Sequence, residues 1–159
     1  MRSLALFVGG ILLGLAVQTG IAQTDRVINV NHVGITVSNF DEAMKFFKES
    51  MGFREAFTVR DEKTGQPTLA YVQVSRDSFI EVQPAGADRR PGISHLGLHV
   101  ENIRATLARL AQHGVKVEEP RASRTNSVIA NATGPDGIRM ELSELGPESL
   151  QRKAMNSWK

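Results

Sequence analysis

His32-Val33-Gly34-Ile35-Thr36-Val37-Ser38-Asn39 returns 63 residues later as His95-Leu96-Gly97-Leu98-His99-Val100-Glu101-Asn102. His, Gly, Val and Asn recur in register, and the apolar positions agree. Each copy alternates apolar and other residues, the mark of a half-buried strand. A helical pattern follows both: Phe40, Ala43, Met44, Phe47 and Met51 in the first, Ile103, Leu107, Leu110 and Ala111 in the second. Asn39 with Asp41, and Asn102, supply N-cap signals, and Gly52 and Gly114 supply stops. Beyond each helix the sequence predicts three short strands. In the first copy they are Phe53–Arg60, Leu69–Ser75 and Ser78–Gln83; in the second, Val115–Glu119, Ser127–Thr133 and Ile138–Ser143. Turns at Lys63–Pro67 and Gly134–Gly137 separate them. The chain therefore predicts an α+β fold of two βαβββ modules, residues 27–84 and 92–145, joined by the Pro/Gly-containing segment Pro84–Pro91.

The remaining segments flank this duplicated unit. Arg2 precedes an apolar run of 14 residues, Leu4–Val17, and small residues follow near Ala22. That pattern predicts a signal peptide over residues 1–22 and an exported, periplasmic or secreted, mature chain. The rival reading is a retained membrane anchor; the run is shorter than the ~20 apolar residues a bilayer span needs and holds Gly9, Gly10 and Gly14, which favours removal, with no membrane attachment after it. Residues 147–159 place Leu150, Ala154 and Trp158 four apart, which predicts a short C-terminal helical tail, with Trp158 against the cup's outer surface or a second subunit, its own domain being the simpler choice. The formal net charge of +2 shows no basic stripe, so nucleic acid is not an expected partner. Cysteine is absent, which excludes disulfides, thiolate catalysis and thiolate zinc sites.

Strand parity then sorts the polar residues. In the first strand Val33, Ile35 and Val37 face the helix, and His32, Gly34 and Thr36 face away. In the fifth Leu96, Leu98 and Val100 pack, and His95, Gly97 and His99 face away. The fourth strand turns Phe79, Glu81 and Gln83 the same way; the eighth turns Arg139, Glu141 and Ser143. Ile138, Met140 and Leu142 are expected to pack. Each copy thus offers one His and one Glu from the face opposite its helix, 49 residues apart in the first and 46 in the second. Imidazole and carboxylate together suit a divalent ion such as Zn, Ni, Co, Fe or Mn. His32, Glu81, His95 and Glu141 are the candidate metal ligands, leaving positions open for a small-molecule substrate. Gly34 and Gly97 leave room for a close approach. His99 has no counterpart in the first copy and reads as a pocket-rim group, a group behind the ligands, or a plain surface group. His113 ends a helix and reads as structural.

At these residues the chain resembles the vicinal oxygen chelate superfamily, which includes glyoxalase I, methylmalonyl-CoA epimerase, extradiol dioxygenases and bleomycin-resistance proteins. The resemblance covers about residues 27–145 and rests on Asn31–Ile35, Phe79–Val82, Ser94–Leu98 and Gly134–Leu142. It implies paired modules forming a cupped, antiparallel-rich sheet around a metal ion. His–Glu–His–Glu is the ligand order of glyoxalase I, and all four positions match. The epimerases usually carry Gln at the Glu81 position, and the dioxygenases use two His and one Glu. The implied chemistry is that of a lyase or isomerase in which the ion chelates adjacent substrate oxygens and stabilises an enediolate. Glu141, or else Glu81, is the implied catalytic base. A ring-cleaving dioxygenase and a non-catalytic, ligand-sequestering protein are the alternatives. A homodimer is an expectation carried by the resemblance. Arg54, Arg60, Arg121 and Arg124 are the anion contacts to consider for a glutathione-like substrate.

Overall fold

The computed structural model describes residues 25–159. The expected leader, residues 1–22, lies outside the described residues. Strands β1 (Val27–Val37), β2 (Arg54–Arg60), β3 (Pro67–Ser75) and β4 (Ser78–Pro84) come from the first copy. Strands β5 (Gly92–Val100), β6 (Arg121–Ala122), β7 (Val128–Thr133) and β8 (Arg139–Glu144) come from the second. All eight form one sheet in the order β2-β3-β4-β1-β5-β8-β7-β6. The order is symmetric about its centre. β1 and β5 meet antiparallel, and each is flanked by the parallel last strand of its own copy, β4 or β8. The sheet is thus antiparallel-rich, with two parallel pairs at its heart.

Helix α1 (Phe40–Lys45) starts where the Asn39 side chain accepts from the Glu42 amide, and continues as a wider π turn, Phe46–Ser50. Gly52, at φ 70°, releases the chain into β2. Helix α2 (Ile103–Gln112) starts on Asn102, which caps the Ala105 amide, and the Glu144 carboxylate accepts from the Ile103 amide. His113 is its C-terminal cap. One core lies under α1, where Met44 meets Ala70, Val72 and Val82. A second lies under α2, where Ile103 and Leu107 meet Val100, Ala130 and Leu142.

The third core is on the opposite, concave face. Helix α3 (Leu150–Asn156), capped by Ser149 on the Arg152 amide, lays Ala154 and Met155 against Leu69, Tyr71, Phe79 and Leu145. The tail therefore fills part of the cup from inside. Trp158 stays outside this core, 38% exposed, with the Arg54 guanidinium 5.5 Å from the ring centre.

Two expected details differ. Val115–Glu119 does not form a regular strand. It runs beside β7 through the Thr133 amide to the Lys116 carbonyl, the Glu118 amide to the Asn131 carbonyl and one bridge, Val117 to Ala132. Pro120 then breaks the ladder because it has no N–H, and only Arg121–Ala122 pairs as β6. Ile138, expected to pack, is 54% exposed. The turn before it, with Asp136 at φ 55° and Gly137 at φ 78°, delays β8 until Arg139.

The central seam is tight. His32 pairs with Gly97, and Gly34 with His95. A Cβ on Gly97 would lie 2.1 Å from His32 Cε1, and one on Gly34 would lie 2.0 Å from His95 Cε1. Each glycine is the floor under the other copy's imidazole. Gly97→Ala is expected to lower stability by about 1–3 kcal/mol, as overpacking does. Gly86→Ala, which meets nothing within 4 Å, should leave it nearly unchanged. Urea midpoints of the two variants check this.

Candidate metal centre

Register brings the four polar side chains together. Gly34 pairs with Glu81 on one side and His95 on the other; Gly97 pairs with His32 and Glu141. Across both glycines the side chains converge. His32 Nε2 lies 3.0 Å from His95 Nε2, 3.4 Å from Glu81 Oε2 and 3.6 Å from Glu141 Oε1. His95 Nε2 lies 3.4 Å from Glu81 Oε2. One donor atom from each of the four falls within 4.8 Å of the others, and all four residues are buried. Donors about 2.0–2.2 Å from a common ion stand roughly 3.0–3.5 Å apart, so the group can hold a divalent cation. Both modules of one chain contribute equally.

Neighbours orient these groups. His32 Nδ1 donates to Asn31 Oδ1 at 3.2 Å, which leaves the Nε2 lone pair facing the centre. Asn31 is itself held by the Asp77 carbonyl. His95 Nδ1 meets Ser94 Oγ at 2.9 Å and Arg139 Nη2 at 2.6 Å. A guanidinium only donates, so this nitrogen accepts and the ring proton sits on Nε2, aimed at the centre. For Nε2 to ligate a cation, the ring proton would have to sit on Nδ1 and be donated to Ser94 Oγ, with Arg139 turned from that nitrogen.

The two carboxylates differ. Glu81 accepts from the Tyr71 hydroxyl at 2.8 Å and from the Gln83 amide, which in turn accepts from Arg89 at 2.9 Å. Burial opposes its charge, but the His95 hydrogen bond, the His32 and His95 charges and the Tyr71 hydroxyl outweigh that and hold it down at about 2. Burial and the two carboxylates keep the Tyr71 phenol well above its usual value, so it stays a donor. Glu141 has one long partner, Ser143 Oγ at 3.4 Å. Burial, then the Glu81 charge, push Glu141 upward. Burial pushes His32 down to about 4 against the pull of Glu81.

A cavity of about 380 Å³ opens beside the quartet, lined by Glu81, Glu141, Tyr71, Gln83 and four arginines. Among the anion contacts considered, Arg121 and Arg124 line it. Arg54 is bound to the Ala154 and Ser157 carbonyls of the tail, and Arg60 to the Gly65 carbonyl. His99 is neither at the rim nor on the surface. It is 4% exposed because the tail covers it, with Arg152 Nη2 3.4 Å from its Nε2. Tyr71 and Arg89 were not singled out by the sequence, and Asn31 and Ser94 stood in its motifs without a role. Arg139 and Gln83 were placed on the right face by parity but given no role.

Fold and quartet together define a two-module cup in which each half brings one imidazole and one carboxylate to the centre. The chain belongs to the Glyoxalase/Bleomycin resistance protein/Dioxygenase superfamily, whose family model matches residues 29–142. It is 31% identical to a probable lactoylglutathione lyase of Synechocystis sp. over 120 residues, 70% of this chain and 91% of that protein. It is 30% identical to a probable chloroplastic lactoylglutathione lyase of Arabidopsis thaliana over 124 residues, 73% of this chain and 35% of that protein. In fold it is similar to methylmalonyl-CoA epimerase from Mycobacterium tuberculosis, with a TM-score of 0.67, 24% identity and coverage of 81% of this chain and 95% of that one.

The depressed His32 and Glu81 values make the ion-free protein acid-sensitive. Between about pH 6.5 and 4 the unfolded chain binds a proton at His32 that the fold refuses, so stability falls as pH falls. Glu81 extends the loss below pH 4.5. Glu141, raised by burial, works in the opposite direction. Urea unfolding of ion-free protein should lose about 2 kcal/mol from the His32 contribution between pH 7 and pH 5. His32→Gln should show a correspondingly shallower slope.

Proposed function

We propose that the chain is a metal-dependent small-molecule enzyme of the glyoxalase-like type, acting as a lyase or isomerase, with His32, Glu81, His95 and Glu141 as metal ligands. The observation that carries this is the meeting of two imidazoles and two carboxylates, one of each from either module, around one point. Held by these four side chains, a divalent ion would supply Lewis acidity for oxygen-bearing substrates that lose a proton from a neighbouring carbon.

The chain's own residues divide the remaining work. Glu141 is the base in this reading. It is held by a single long hydrogen bond, and its upward shift gives it affinity for a proton. Glu81, gripped by Tyr71 and Gln83, stays ionised and fixed. The Tyr71 ring, edge-on to His32 at 5.3 Å and stacked on Phe57 at 4.8 Å, walls the imidazole off from water. The relatives named as lactoylglutathione lyases support lyase chemistry on a thiol adduct of a ketoaldehyde. Export, as the N-terminal residues suggest, remains part of the proposal.

Elemental analysis of purified protein tests it, with about one divalent ion per chain expected. His32→Ala should abolish retention of the ion. Glu141→Gln should reduce hemithioacetal isomerisation by about 10²–10⁴-fold. A wild type without metal, or retention unaffected by both changes, rules the centre out. Oxygen uptake with catechols in place of isomerisation would assign a dioxygenase. Metal and ligand binding without turnover would assign a sequestering protein.

A further inference from the structure

Helix α3 buries Gln151, Ala154 and Met155, and only the first of these is polar. Gln151 is 1% exposed, and its Oε1 has no hydrogen-bond partner. A buried amide with one end unpaired works against stability, and an apolar side chain of the same length would fill the space without that cost. The other end of the amide accounts for its presence. Gln151 stands three and four residues before Ala154 and Met155, so all three lie on one face of the helix. Ala154 and Met155 pack in the cluster that holds Tyr71, and the Gln151 side chain hydrogen-bonds the Tyr71 hydroxyl.

Proton counting fixes the direction of that bond. The Tyr71 hydroxyl has one proton and gives it to Glu81 Oε2 at 2.8 Å. Only lone pairs remain on its oxygen, so Gln151 meets it as a donor, through Nε2. The reverse orientation would set Gln151 Oε1 in competition with Glu81 for the same proton. The helix itself is held firmly. The Leu150 amide donates to the Thr125 carbonyl at 2.9 Å, in the loop that carries Arg121 and Arg124. Gln73 and Arg54 both donate to the Ala154 carbonyl, at 3.4 and 3.2 Å, and Arg152 Nη2 donates to the Leu145 carbonyl at 3.2 Å. The family model matches residues 29–142, so the whole helix lies beyond the matched part.

We infer that Gln151 is a positioning residue for the proposed metal centre: it holds the Tyr71 hydroxyl in the rotation that hands its proton to Glu81. The inference rests on the metal-dependent reading above. A phenol O–H has two in-plane orientations, and only one of them reaches Glu81. A donor on the far side closes the second, because there two hydrogens would meet. With the hydroxyl so fixed, Glu81 is oriented before any ion arrives, as partners behind a ligand commonly arrange. The tail, outside both modules, thereby contributes to the centre that the modules build.

Wild type, Gln151→Met, Tyr71→Phe and the double variant test this, each titrated with zinc against a competing chelator. Methionine matches glutamine in length and lacks a donor, so it removes the unpaired oxygen along with the hydrogen bond. Gln151→Met should unfold at the same urea concentration as wild type or a higher one, yet hold zinc about tenfold less tightly. Tyr71→Phe should lose about 10–100-fold, and the double variant no more than Tyr71→Phe alone, because Gln151 acts through that hydroxyl. Tyr71 is the chain's only tyrosine, so its second-derivative ultraviolet band reports the phenol's hydrogen bonds with or without an ion. Gln151→Met should shift that band. Gln151→Leu carries the same expectations and replaces Gln151→Met where the latter folds poorly. Unchanged zinc affinity in the single Gln151 variants, losses that add in the double variant, or an unmoved tyrosine band overturns the inference and leaves the metal centre standing. Failure of wild type to bind zinc overturns the metal reading, and the inference with it.

Discussion

Everything in the centre depends on two imidazole rings each lying on a glycine of the facing strand. His32 rests on Gly97 and His95 on Gly34, in antiparallel register. Any side chain larger than hydrogen would push the rings off the sheet. Because the rings lie low, their Nε2 atoms meet at 3.0 Å, and the glutamates of the flanking parallel strands reach the same point. The seam that joins the two modules is the same place as the proposed metal centre. Stability and chemistry therefore share residues, as they commonly do where buried polar groups are gathered.

Around that seam the two faces of the sheet are treated differently. The convex face is covered by α1 and α2 with apolar cores. The concave face is divided between α3, which packs Ala154 and Met155 against Leu145 and the sheet, and the open cavity beside the quartet. The tail also buries His99 and, through Leu150, anchors the arginine-bearing loop. A short terminal helix thus sets the floor of the cup and the position of one wall.

The duplication made most of this legible. A 63-residue offset and period-two parity placed His32, Glu81, His95 and Glu141 on one face, and the structure gathers them there. Parity could not reveal Tyr71. Counting outward from the tight turn, where Ser75 pairs with Ser78, sets Val72 opposite Glu81. A one-residue irregularity between Gln73 and Ser75 shifts the register and puts Tyr71 there. The truncated β6 was hidden because Val115, Val117 and their neighbours carry a good strand pattern, while a single proline cancels the ladder beyond them. His99 was misplaced because its cover comes from Arg152, 53 residues away in the chain, which local pattern does not report.

The equivalence of the two modules is incomplete at one telling pair. Phe79 stands two residues before Glu81 and beside His32, sunk in the apolar core. Arg139 stands two residues before Glu141 and reaches His95 from the cavity side. A symmetric assembly of two identical half-chains would have to carry the same residue at both places, grease in both or charge in both. Covalent linkage removes that constraint. At this pair one half has become an apolar wall and the other a charged lining, so the proposed ion cradle is pseudo-symmetric in its four ligands and asymmetric in what stands beside them.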